Sequence, residues 1–188
     1  MEELSLMIKL SVILLVFLIA LYSDLKYQRI PNWLCMVTLI TGFIVQSYFS
    51  GWSGLLNAFI GAGLAFMLLF PAFYFRLLGA GDVKLMVAIG AFLDVKILLW
   101  SISYAIIAGA LTSIALALYR LGWKPFFEIV AHYLRCLYLR QFIRASNRDF
   151  LKMKVPYAPA LAIGWLWACS QDADVIWLIS NLRYQLGV

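Results

Sequence analysis

Val83-Lys84-Leu85-Met86-Val87-Ala88-Ile89-Gly90-Ala91-Phe92-Leu93 is the stretch on which the topology turns. It is apolar except for Lys84, and Asp82 and Asp94 bound it. As a helix it rises roughly 16 Å, about half of a roughly 30 Å hydrocarbon core. Its length alone suits a buried helix as well as a crossing one. Its surroundings decide. Longer apolar runs flank it: Leu4–Tyr22, Trp33–Phe49, Leu55–Phe75, Ile97–Tyr119 and Val155–Ile179. The last run is interrupted by Asp172 and Asp174, so it is expected to leave the membrane near Ser170. If the short stretch crosses, twelve of the fifteen basic residues fall on one side. These lie in the connections after spans one, three and five. Only Lys9, Lys96 and Arg183 fall on the other. If it does not cross, the basic connection after Tyr119 changes sides and violates the positive-inside rule. Six spans are therefore expected, with the basic connections cytoplasmic and both termini outside.

Composition agrees. Of 188 residues, 65% are hydrophobic and 13% charged, with mean hydropathy +0.93. Soluble domains are roughly 45–50% apolar and about 25% charged. The reading is one all-α polytopic membrane domain, residues 1–188. The Leu4–Tyr22 run has no small-residue cleavage site, so it reads as a retained span. The net charge of +6 reports orientation and anionic-lipid contact rather than nucleic acid. Cys35, Cys136 and Cys169 form no CxxC pair, so no metal site, disulfide or cofactor is expected. Residues 120–154 interleave basic and aromatic side chains, an amphipathic pattern suited to the inner-leaflet surface. His132 lies there and reads as a surface histidine.

Carboxylates at membrane depth are costly and tend to be functional. Seven of the nine acidic residues fall at outer boundaries or in the basic segment. Asp24 and Asp82 remain, both at cytoplasmic ends of spans. Gly79 and Gly81 precede Asp82; they remove bulk, permit unusual backbone angles and let another chain approach. After Asp24, Pro31 stops the helix, and Asn32 is expected to cap the start of span two. Two carboxylates within hydrogen-bond range share one proton. The ionised one can draw a proton from water while the protonated one binds the carbonyl under attack. The same residues also fit another reading, a non-enzymatic assembly or transport subunit with acids that relay protons or pair with another chain. Span lengths add a tension, placing Asp24 roughly 10 Å nearer the surface than Asp82.

Three motifs occur in order: Asp24 with Arg29-Ile30-Pro31-Asn32, then Gly79-Ala80-Gly81-Asp82-Val83-Lys84, then Pro156-Tyr157-Ala158-Pro159-Ala160. Together they resemble the prepilin peptidases, which are GxGD-type aspartic proteases of prokaryotic cell membranes. The resemblance implies that Asp24 and Asp82 are the catalytic pair. It implies a substrate that is a type IV prepilin or pseudopilin precursor, cut at the cytoplasmic face between a basic leader and a hydrophobic helix. Arg29 and Lys84 are candidates for contact with substrate or with the pair. Larger members carry an insertion with paired cysteines and also methylate the new N-terminus. This chain lacks that insertion and the cysteine pairs, so methyltransferase activity is not expected, and it looks more like the small peptidases of Flp-type (tight adherence) pili. The proline segment is expected to set the angle of span six. Gly54, Ala58 and Ala62 recur every fourth residue and are expected to let the chain's own helices pack closely.

Overall fold

The computed structural model describes residues 2–75, 77–122, 131 and 157–185, and these contain no strand. The basic segment 123–154 (apart from Ala131), with His132 and Cys136, lies outside the described residues, as do Arg76 and Pro156. The protein is all-α. Its helices are α1 (Glu2–Tyr27), α2 (Asn32–Tyr74), α3 (Ala80–Gly90), α4 (Val95–Leu121), α5 (Ala158–Gln171) and α6 (Ala173–Gln185). Glu3–Tyr27, Asn32–Tyr74 and Val95–Leu116 are long and apolar enough to cross a membrane, with mean hydropathies of 2.8, 2.0 and 1.9. Their outer faces present Leu14, Leu15, Leu18, Phe66 and Met67 in the open. Such a surface is costly in water and suited to lipid.

Residues 1–108 and 156–188 form one compact unit, and 109–155 a second. In the second, Thr112 and Ser113 hydroxyls donate to the Gly109 carbonyl, and the helix ends before Gly122 at φ 80°.

In the first unit, α1 buries Ile13, Val16, Phe17 and Ala20. That i, i+3, i+4, i+7 stripe, extended by one turn, includes Asp24. The carboxylate therefore lies on the face that α1 turns inward.

The 43 residues of α2 would measure roughly 65 Å if straight. They are not straight. Gly51 has φ 58° and ψ −140° and breaks the helix. Phe43 and Phe59 pack with ring centroids 4.5 Å apart and planes tilted by 41°, although sixteen residues of straight helix would separate them by roughly 24 Å. The helix folds on itself at Gly51, so the two spans expected from sequence are antiparallel arms. Only a residue without Cβ adopts the left-handed backbone at such an elbow without strain.

Both arms hold α3. Gly61 and Gly90 meet backbone to backbone, and a side chain on Gly42 would collide with Ala91 and Phe92. The small residues Ala58 and Ala62 pack with Ala91 against Leu39, Phe43 and Val87. Leu85, Met86 and Ile89 are fully buried, so α3 is a central helix apolar almost all round. Gly164 of α5 lies directly on Ala105 of α4, and Trp165 packs on Phe17 of α1 at 5.4 Å. The last apolar run breaks at Asp172, close to the expected exit. Its Oδ1 accepts the Asp174 N–H at 3.1 Å and starts α6.

Candidate active site

One end of this unit gathers the motif residues. Asp24, in the last turn of α1, is 7% exposed. Its Oδ2 accepts the main-chain N–H of Ala158 at 3.1 Å. Ala158 is the first residue of α5, where N–H groups have no partner within the helix and the helix dipole favours an anion.

Asp82 is the third residue of α3. Its Oδ2 accepts the N–H of Gly79 at 3.2 Å, while the Val83 N–H returns to the Gly79 carbonyl at 3.3 Å. The residue stands just ahead of the apolar run that begins at Val83. Burial, followed by the charge of Asp24, pushes its carboxyl up to about 6, and the Gly79 N–H pulls the other way. Asp24 is thus close enough for Asp82 to feel its charge.

The glycines work through space, not through backbone angles. Among described glycines only Gly51 and Gly122 have positive φ, which corrects the expectation of unusual angles at Gly79 and Gly81. A Cβ on Gly79 would stand 2.9 Å from Asp82 Oδ2, and one on Gly81 would stand 3.2 Å from Ile30 Cβ. Glycine at 81 therefore admits the α1–α2 connection onto the start of α3. This contact brings the end of α1 and the start of α3 together, which helix lengths alone do not give. Span lengths treat helices as separate rods, whereas here the connection folds down to the level of Gly81.

Pro31 takes the cap position of α2 with φ −69° and ψ 134°, and no side chain caps the helix. The expected Asn32 cap is corrected: Asn32 is the first helical residue, and its Oδ1 accepts the Lys84 ammonium at 3.0 Å. Lys84 thus ties α3 to α2. The Arg29 side chain is exposed, and its carbonyl accepts the Ser23 hydroxyl at 2.8 Å. Neither contact brings its guanidinium to the carboxylates.

Sequence reading missed the Ala158 N–H. The signal was present: Pro159, near the start of α5, marks a helix N-terminus with free donors. Which acceptor those donors meet depends on folding.

The model of the type IV leader peptidase family matches residues 11–114, more than half of the chain. The chain belongs to that family. It is a family of proteases, and the matched stretch includes both aspartates of this leader peptidase homologue. Ala158 lies beyond it. Comparison with curated proteins and with solved structures gives no match.

Proposed function

We propose that the protein is a membrane aspartic endopeptidase that removes the basic leader from type IV prepilin or pseudopilin precursors. One observation carries this reading. Asp24 is buried and bonded to the N–H at the start of α5, and it lies close enough to Asp82 that burial and then its charge push the Asp82 carboxyl up. Two carboxyl groups coupled in this way can hold one proton between them. One carboxylate takes a proton from water as the water attacks the scissile carbonyl. The protonated partner hydrogen-bonds the carbonyl oxygen and then supplies the proton that the leaving amine needs.

The distribution of Lys and Arg puts this end of the bundle in the cytoplasm of a cell membrane, with both termini outside. The hydrophobic helix of the precursor then lies beside the spans, with its scissile bond at the cytoplasmic rim.

The test is co-expression with a pilin precursor, followed by gel mobility of the precursor. The wild type processes it, and Asp24→Asn and Asp82→Asn do not, at equal membrane abundance. Full processing by either variant sinks the proposal.

A further inference from the structure

The opposite end of the first unit holds a cavity of about 470 Å³ that the proteolytic reading does not use. The start of α1, the α2 elbow, the turn at Asp94 and the start of α6 all line it. Its charges are mixed: the carboxylates of Glu3, Asp94 and Asp174 and the ammonium of Lys9 line it. Two polar side chains on its wall are more than nine-tenths buried, Ser5 at 6% and Gln46 at 2% exposure. Gln46 spends its amide N–H on the Phe92 carbonyl at 3.3 Å. Its carbonyl oxygen and the Ser5 hydroxyl have no hydrogen-bond partner among the described residues. Neither atom is among the enclosed unpartnered ones, Ser101 Oγ and Trp165 Nε1, so both are open to the cavity their residues line.

The chemistry narrows the occupant. Among the described residues no three acidic, His or Cys side chains converge to hold a metal ion. The carboxylates are spread around the wall, which suits an extended polar group rather than a point charge. Their excess over Lys9 favours a ligand with a cationic part, and Lys9 offers a site for an anionic part. Trp177 stands on the same wall and is exposed on its outer side, as aromatic side chains at a membrane interface are. Leu6 and Leu178 supply apolar rim.

We propose that this cavity binds the headgroup of a zwitterionic aminophospholipid, with its phosphate on Lys9 and its ammonium among Glu3, Asp94 and Asp174. Ser5 and Gln46 then complete the hydrogen bonds of the headgroup. The site is independent of Asp24 and Asp82, which lie at the far end of α1 and the start of α3.

The test uses the full chain in nanodiscs of phosphatidylglycerol, doped stepwise with phosphatidylethanolamine. The readouts are the thermal unfolding midpoint and lipid adducts in native mass spectrometry. Phosphatidylethanolamine is expected to raise the midpoint saturably and to leave a bound adduct. Lys9→Gln and Asp174→Asn are expected to weaken that binding at least tenfold while unfolding like the wild type in phosphatidylglycerol alone. Asp24→Asn is expected to bind normally, so loss of proteolysis and loss of this site are read separately. A non-saturable response, or equal binding by both cavity variants, overturns the proposal. Soluble glycerophosphoethanolamine is the second arm. Saturation by it without any response to the lipid overturns the lipid assignment.

Discussion

Asp24 and Asp82 lie near one another at one end of the bundle, but they are held in opposite ways. Asp82 is tied locally, to an N–H three residues before it, and it remains partly open. Asp24 is buried and tied to an N–H 134 residues away. The local tie is a property of one helix start. The distant one exists only when α5 has docked on α1. The site is therefore complete only once the last helices are in place, and the Asp24 side is where a single lost contact does the most harm. Water can replace a donor at a partly open carboxylate more readily than at a buried one.

Ala158→Pro tests this most sharply. Proline fits the first turn of a helix, where an N–H has no helical partner. The substitution deletes the donor to Asp24, and because Tyr157 before it has αR backbone, which proline disfavours, helix content and membrane abundance are measured beside the kinetics. A hydrogen bond to a charged group contributes roughly 1.5–3 kcal/mol, so kcat is expected to fall about ten- to hundredfold with KM little changed. Cleavage kinetics on a purified precursor measure it. An unaltered kcat would mean that the distant tie is dispensable.

Gly81 probes the surface on which the two carriers of the carboxylates meet. A Cβ there stands 3.2 Å from Ile30, and overpacking costs typically about 1–3 kcal/mol. Gly81→Val is expected to destabilise by that amount in reversible denaturation and to lower cleavage. Ile30→Ala in the same chain is expected to restore part of both. Additive losses in the double variant would show that Ile30 is not the obstacle.

The pair also differs in titration. The Asp82 carboxyl, pushed up to about 6 by burial and then by the charge of Asp24, is mostly protonated below that pH and ionised above it. Cleavage is expected to decline as pH rises through about 6, because the shared proton is then lost. Asp24→Asn removes the second cause and leaves the first. The Asp82 midpoint is expected to fall in that variant while staying above the ordinary carboxylate value. Isotope-edited infrared spectra of the Asp82 carboxyl read this without any need for activity. A midpoint that stays put or rises would contradict the coupling.

Much of this arrangement was legible from residues that carry their meaning locally. Long apolar runs, a chain reversal near Gly51, glycines before Asp82 and a break at Asp172 all follow from composition and spacing. So does the placement of Asp24 and Asp82 at one end, because it rests on counting crossings and basic residues. The Ala158 donor was not legible, since every residue except proline has a main-chain N–H and no letter marks the one that docks. How the end of α1 meets the start of α3 was not legible for a related reason. Rise per residue fixes the length of a helix but not how its connection folds against a neighbour. The Asn32 cap failed because Pro31 already fills the cap position, which leaves the amide for Lys84.

That last contact predicts the smallest effect and sharpens the comparison from outside the pair. Lys84 and Asn32 are both exposed, and their hydrogen bond joins the starts of α3 and α2. Exposed polar contacts contribute at most about 1 kcal/mol. If Lys84 acts only as this tie, Lys84→Met and Asn32→Ala lose the same interaction. Each is then expected to lower stability by less than about 1 kcal/mol, and the double variant by no more than either alone. Cleavage is expected to change equally in both. A KM that rises in Lys84→Met but not in Asn32→Ala would assign the ammonium to the substrate instead. The electrostatic setting of Asp82 would then be completed only when the precursor binds, whereas that of Asp24 is built in by α5.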